Sequence, residues 1–361
     1  MQKLLLFVFA SLLVLWTASV GETAWEQEWE KVLAAAKKEG VVAVSGPAGV
    51  PSRDSLTKPF TDKYGIKVDF FGASGRELSP RIMTELRAGQ FNWDVFVHGT
   101  TTALTVMIPA GAFAPLKPAL ILPEVTDPNK WRGGGLEVMG PNGELAVMTP
   151  FQRGTVFYNT KLVDPKQITS YKDLLKPEWK GKMAIDDPTK PGPGQATFTF
   201  FYLHPQLGPD FIRALAKQDL VLHRDYTTQS DDLGHGRFPL LIGTADFIVE
   251  RKIKQGLPIN IVDPRQLKEG SDVSPANGAT ALYKNTPHPN AARVYLNWLL
   301  SPEAQTIFSR NMGYVSARVD VPTDHTFPWR VPQPGAIKTY DEKAMNNKKA
   351  VVSLVQQVLR R

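Results

Sequence analysis

Phe60 to Gly99 reads FTDKYGIKVDFFGASGRELSPRIMTELRAGQFNWDVFVHG. A helix carrying Leu56 and Phe60 stops near Tyr64-Gly65. Ile66 to Phe71 follows as a strand and ends at Gly72-Ala73-Ser74-Gly75. The next helix runs through Ile82, Met83 and Leu86 to Gly89, and Val95-Phe96-Val97 is a short apolar strand closed by His98-Gly99-Thr100. Alternation of short apolar strands with helical spacing predicts βα units on a parallel sheet.

Upstream the same order appears. Trp25, Trp29, Val32, Leu33 and Ala36 recur at helical spacing before Gly40, and Val41-Val42-Ala43-Val44 stops at Ser45-Gly46-Pro47. Strand, loop and helix thus recur three times, the pattern of an α/β lobe. Downstream a second set begins. Met183-Ala184-Ile185 leads into Asp186-Asp187-Pro188, a Pro/Gly loop and an apolar helix from about Gln195; Leu220-Val221-Leu222 and Leu240-Leu241-Ile242 are further strands. Between the lobes, Thr155 to Asn159 reads as an extended crossing and Ile259 to Val262 as the return. Ala291 to Leu300 is a strong helix, and Ser301-Pro302-Glu303 starts another with Ser as N-cap and Pro in the first turn. The expected organisation is residues 22–150 for lobe one, 151–264 for lobe two, and 265–361 for the return to lobe one with its C-terminal helices. Two crossings make a hinge, and a hinge makes a closing cleft.

Residues 1–21 read differently. Lys3 precedes an unbroken apolar and small run from Leu4 to Trp16, and small residues follow at Thr17, Ala18, Ser19 and Gly21. This is the plan of a secretory signal peptide, cleaved after Ser19 or Gly21; an uncleaved N-terminal anchor is the alternative, although the run is short for a bilayer. The 361 residues contain no cysteine, which excludes disulfide staples, thiolate catalysis, Cys-based metal sites and a lipid anchor on an N-terminal Cys. Export without a lipid anchor predicts a periplasmic protein. The formal net charge is +7, and +6 once Lys3 leaves (7 − 1). Basic residues lie scattered among acids, without interleaved aromatics, so nucleic acid is not an expected partner. The field favours anions weakly.

In open α/β sheets ligands sit beyond the carboxyl ends of the strands. Ser45, Ser74-Gly75 and Thr100 occupy those ends in lobe one, where small residues let a backbone approach a solute. Asp187, Thr189 and Gln195 occupy the matching point in lobe two. Arg76 follows Ser74-Gly75, and Arg153 lies just before the crossing; both guanidinium forks suit a carboxylate or phosphate. Tyr226 is a candidate wall, and Asp246, just after Leu240-Leu241-Ile242, a candidate partner for an amine or hydroxyl. Ordinary turn, core or surface roles remain the alternatives for each.

Four stretches together resemble the bacterial extracellular solute-binding proteins of family 1, in the branch with ferric-iron, thiamine, polyamine and aminoethylphosphonate binders. They are Phe60 to Gly99; Tyr158-Asn159-Thr160 with Trp179-Lys180-Gly181-Lys182; Thr244 to Val262; and Asn290 to Gln305, NAARVYLNWLLSPEAQ. The resemblance implies a type II periplasmic binding fold, two hinged lobes with a ligand cleft, a monomer, no cofactor and delivery to an ABC permease in the inner membrane. Ferric-iron members look to adjacent tyrosines for the metal. Here the matching region reads Thr244-Ala245-Asp246-Phe247-Ile248, without the phenolate donor ferric iron prefers. The six histidines are scattered and no metal site is expected, though Asp187 and Asp246 keep iron open. Arg76 and Arg153 favour an organic anion: a carboxylate, phosphonate or phosphate ester. Ferric-iron or polyamine/thiamine binding, a sensory binding protein, and an enzyme on the same fold are the alternatives. No G-x-S-x-G elbow or H-E-x-x-H helix supports the last.

Overall fold

The computed structural model describes residues 23–190 and 192–359; the side chain of Arg76 lies outside the described residues, as does the expected signal peptide. The strands in chain order are β1 Val41–Gly46, β2 Lys67–Gly72, β3 Val95–His98, β4 Phe113–Ala114, β5 Val138–Met139, β6 Leu145–Val147, β7 Phe151–Gln152, β8 Val156–Asn159, β9 Met183–Asp186, β10 Val221–His223, β11 Leu240–Ile242, β12 Ile259–Ile261, β13 Val273–Ser274 and β14 Ala279–Tyr283. Most of them form two mixed sheets, ordered β2-β1-β3-β14-β6-β5, with β4 pairing β14 off this path, and β10-β9-β11-β8-β12; β7 and β13 make a separate two-stranded sheet. In the first, β2, β1 and β3 are parallel, as the alternating pattern predicts, while β14 returns from late in the chain to pair antiparallel with β3 and β6. The fold is α/β with two lobes.

Local chemistry sets the helix limits. Thr23 and Glu26 form a capping box at the start of Ala24–Glu39, and Gly40, at φ 70°, ends it. Ser301 caps Pro302–Met312 through the Ala304 N–H, and Gly313, at φ 69°, stops it. The first lobe buries Trp298, Tyr295 and Phe60 against Val42 and Val44. The second buries Phe198, Phe200, Phe201 and Tyr171 against Ile185 and Leu240.

Two expectations need correction. Thr155 to Asn159 is not itself the crossing: β8 is buried inside the second sheet, antiparallel to β11 and β12. The crossing lies just before it, at β7, which pairs antiparallel with β13 on the way back. The C-terminal helix, Glu342–Leu359, packs on the second lobe, not the first. Val351, Leu354 and Val355 join its core, where apolar surface is left between Pro193–Leu203 and Gly208–Ala216. Before reaching that place the chain touches both lobes in turn. Trp329 packs with Phe157 and Leu233, then Tyr340 packs on the first lobe and donates to Glu137 at 2.9 Å.

Lys348 breaks the apolar stripe of that last helix, between Ala344 and Val351. Its ammonium reaches across to the Thr101 hydroxyl of the first lobe, 3.2 Å away, and has no carboxylate partner among the described residues. Burial pulls its pKa down to about 8. Because the folded value lies below the unfolded one, the unfolded chain binds more protons between the two, and stability rises with pH above about 8. Lys348→Met is expected to raise stability at pH 7 by of the order of 2 kcal/mol, after allowance for partial exposure, and to flatten this rise. Thermal unfolding at pH 7 and pH 9.5 checks both.

Candidate functional site

The loops after the strand ends of the two sheets build the site region. A groove of about 670 Å³ opens between the lobes. Its first-lobe wall is Ala48, Pro51 and Ser52 after β1, Ala276 and Asn277 before β14, and the turn from Arg310 to Tyr314. Its second-lobe wall is the helix Asp246–Lys254, which follows β11 and presents Asp246, Phe247, Glu250, Arg251 and Lys254. These positions follow the i, i+3, i+4 and i+7 rule of a single helix face. Phe247 is 57% exposed and Val50, beside the first wall, 58%, so both lips carry apolar surface facing water.

A chain of buried charge underlies the groove. Arg153, just after β7, bonds Asp272 before β13 at 3.2 Å and reaches the carbonyls of Pro193 and Thr244. Burial opposes its charge, but Asp272 and Asp246 outweigh burial and raise its pKa. Arg330 lies between the rings of Phe151 and Trp329 and grips Glu250 at 2.7 Å and Asp246 at 3.4 Å. Asp246 also accepts from the Gly154 N–H at 3.4 Å. Both crossings and the segment carrying Arg330 are thereby tied to the helix that lines the groove.

Of the residues singled out in the sequence, Asp246 lines this groove. Ser45 is fully buried and its hydroxyl pairs with Tyr283 at 3.0 Å, which turns it into the first lobe rather than toward a solute. Arg153 is 5% exposed and its fork is occupied, so it ties the crossings together and does not wait for an anion. Ser74 caps Gly75–Arg87 in a capping box with Glu77. A Cβ on Gly75 would run into the Thr102 hydroxyl, so glycine lets two loop ends touch; Thr100, itself buried, starts the turn beside them. Arg76 lies in the same helix, its side chain outside the described residues.

In the second lobe the structure gathers Asp187, Thr189 and Tyr226 around the loop before Pro193–Leu203. Asp187 accepts from Thr189 Oγ1 at 2.6 Å and Arg224 Nε at 3.0 Å; burial pushes its pKa up, but these partners outweigh it and hold it low. Neighbouring Asp186 goes the other way, raised by burial despite bonds from the Gly194 N–H at 2.8 Å and Gln229 at 3.1 Å. Gln195 is buried in the first turn of that helix. A Cβ on Gly194 would meet the Asp186 carbonyl at 2.6 Å, and backbone there cannot swing aside. Gly194→Ala is therefore expected to cost about 1–3 kcal/mol, read from urea unfolding. Among the described residues no group of three or more His, Asp or Glu side chains is placed to hold a metal ion.

The sequence reading missed Arg251, Lys254, Arg310, Tyr314, His325 and Arg330. Arg251 and Lys254 had a signal, one-face spacing with Phe247 and Glu250; the others come to the groove by tertiary packing alone.

A family model described as "Bacterial extracellular solute-binding protein" matches residues 55–333. Among solved structures, the chain is similar to the Trichodesmium protein IdiA (FutA) in complex with iron and citrate, at TM-score 0.66 and 19% identity over 88% of this chain and 99% of that one. It is similar to a ferric binding protein from Campylobacter jejuni, at TM-score 0.65 and 18% identity over 89% and 100%. It is also similar to the periplasmic binding protein AfuA of Actinobacillus pleuropneumoniae with fructose-6-phosphate bound, at TM-score 0.62 and 16% identity over 89% and 99%.

Proposed function

The chain belongs to the bacterial extracellular solute-binding proteins, a family that binds solutes rather than converting them, and on that premise we propose that it is the periplasmic binding component of an ABC-type importer. It captures a small polar solute by closing its two lobes and hands it to an inner-membrane permease. The groove lined by both lobes carries this reading: a solute there touches Asn277 and Tyr314 on one side and the helix Asp246–Lys254 on the other. Such a solute is a bridge, and it favours the closed state by whatever it binds better in that state. β7 and β13 serve as the hinge, and residues 1–21 as the export signal. Ser74, Gly75, Arg76, Thr100, Asp187, Thr189, Gln195 and Tyr226 are carried as further solute contacts in the closed form. No helix among the described residues is long and apolar enough to cross a membrane.

An organic anion is the solute the groove favours. Arg251 and Lys254 line it without an ion pair among the described residues, whereas Asp246 and Glu250 are held by Arg330. The names of the similar structures support a second reading, a ferric carrier. Thr244 to Ile248 offers no phenolate for bare ferric ion; iron as an anionic carboxylate chelate is compatible with the same groove.

A thermal-shift screen of organic acids, phosphonates, sugar phosphates, polyamines, ferric chloride and ferric citrate tests both. A solute at 100 times its Kd adds about 2.7 kcal/mol to stability. Stabilisation by the anions supports the main reading. Stabilisation by ferric salts alone replaces it with the ferric one, and by polyamines alone ends the anion reading.

A further inference from the structure

The last helix answers to both lobes. Residues 337–339 lie along β13 as a third chain of the hinge. The Val273 N–H donates to the Ile337 carbonyl at 2.9 Å, the Thr339 N–H donates to the Val273 carbonyl at 3.2 Å, and Lys338 bridges Val273 in parallel. Tyr340 is buried in the first lobe. Asp341 then accepts from the Ala344 N–H at 2.8 Å and starts Glu342–Leu359. Asp341, Glu342 and Lys343 share a hollow with Val138, Met139 and Gly140 of the first lobe. Further along, Lys348 donates to Thr101 on the loop after β3. From Val351 onward the same helix belongs to the core of the second lobe. Residues 342–348 thus lie along one lobe and 351–359 in the other, with no break in the helix between them.

We infer that this helix is a strut fixed in the second lobe and latched to the first by Lys348 on Thr101, and that the latch holds the open arrangement until a solute draws the lobes together. The inference rests on the solute-capture reading above. The groove is open in this form, since Val50 and Phe247 stand exposed on its lips. Val351, Leu354 and Val355 fix the second half of the helix in apolar core. Across the seam the helix makes one side-chain hydrogen bond among the described residues, at 3.2 Å, so the first half is the end that gives. A helix advances about 1.5 Å per residue, which puts Lys348 about 10 Å along the rod from its hinge-side end. A domain rotation of about 15° about the hinge shifts a group at that distance by about 3 Å. That is enough to part a hydrogen bond. Thr101 brings no charge, so the latch is weak enough for a solute to undo.

The chain has no cysteine, so Asp54→Cys/Gln255→Cys puts one spin label on each side of the groove without background labelling. Both positions are exposed, one beside the first-lobe wall and one just past the helix Asp246–Lys254. Electron–electron distance measurements without solute compare this labelled parent with Thr101→Val, Lys348→Ala and Lys349→Gly/Ala350→Gly made in it. The last variant softens the helix between its two seats and leaves the contacts at both ends in place. The fraction of molecules at the shorter, closed distance is expected to rise about three- to tenfold in each. Thr101→Val/Lys348→Ala should rise no further than either change alone, because both cut one bond. Distances that are unchanged or longer in Thr101→Val and Lys348→Ala, or effects of the two that add, overturn the latch. An unchanged distribution in Lys349→Gly/Ala350→Gly overturns the strut. The labelled parent with citrate, methylphosphonate, glucose 6-phosphate, spermidine and ferric citrate tests the reading beneath. Shortening with any of them supports solute capture, and shortening with none overturns it, whereas the solute-free comparison decides the latch by itself.

Discussion

Replacing Arg153 with methionine is expected to remove about 3–5 kcal/mol of stability, the usual result of deleting one partner of a buried ion pair. Asp272 is fully buried, and what would remain to it is the Thr339 hydroxyl at 2.8 Å. One of its oxygens already lacks a partner, so the carboxylate has nothing in reserve. Arg153→Met/Asp272→Asn removes both charges and is expected to recover much of the loss, because the penalty is the orphaned carboxylate rather than the absent attraction. Chemical denaturation of the two variants checks this; a double variant no better than the single one would show that Arg153 matters for its packing and carbonyl contacts instead.

Arg330→Met is the second large effect, again about 3–5 kcal/mol, with a pH signature. Glu250 is already raised by burial, with Arg330 pulling the other way. Deleting Arg330 raises it further. A carboxyl whose folded pKa exceeds its unfolded value binds more protons when folded between the two values, so stability falls as pH rises through that window. The deficit of Arg330→Met relative to wild type is therefore expected to be greater at pH 8 than at pH 5. A deficit independent of pH would mean that the loss comes from the guanidinium's stacking between Phe151 and Trp329.

The parallel part of the first lobe was legible because its evidence is local. Periodicity, Gly40 and Gly65 as helix stops, and Ser301-Pro302 as a helix start each act within one turn of chain. In sequence β8 reads as the crossing itself because every residue in it is buried. A strand covered on both faces shows no alternation, and its partners β11 and β12 lie far along the chain. The last helix reads as part of the first lobe because the chain returns there; that Val351, Leu354 and Val355 pack on the second lobe, with Lys348 reaching back to Thr101, is set by tertiary contacts. At the site, residue type located the strand-end loops and not the direction of each side chain. Ser45 turns inward to Tyr283, and Arg153 is drawn to Asp272, a residue placed beside it by the return crossing. His325 carries no sequence signal because it comes to the groove by tertiary packing, its Nε2 donating to the Tyr314 carbonyl.

Closure of the proposed hinge would also account for the exposed lips. Val50 and Phe247 leave apolar surface in water on the two sides of the groove, and closing would bury it. Small-angle X-ray scattering with and without a saturating amount of the best stabilising solute tests closure most directly. The radius of gyration should shrink on binding as the groove shuts. Scattering that stays the same with one solute bound per chain would contradict closure of the two lobes around it.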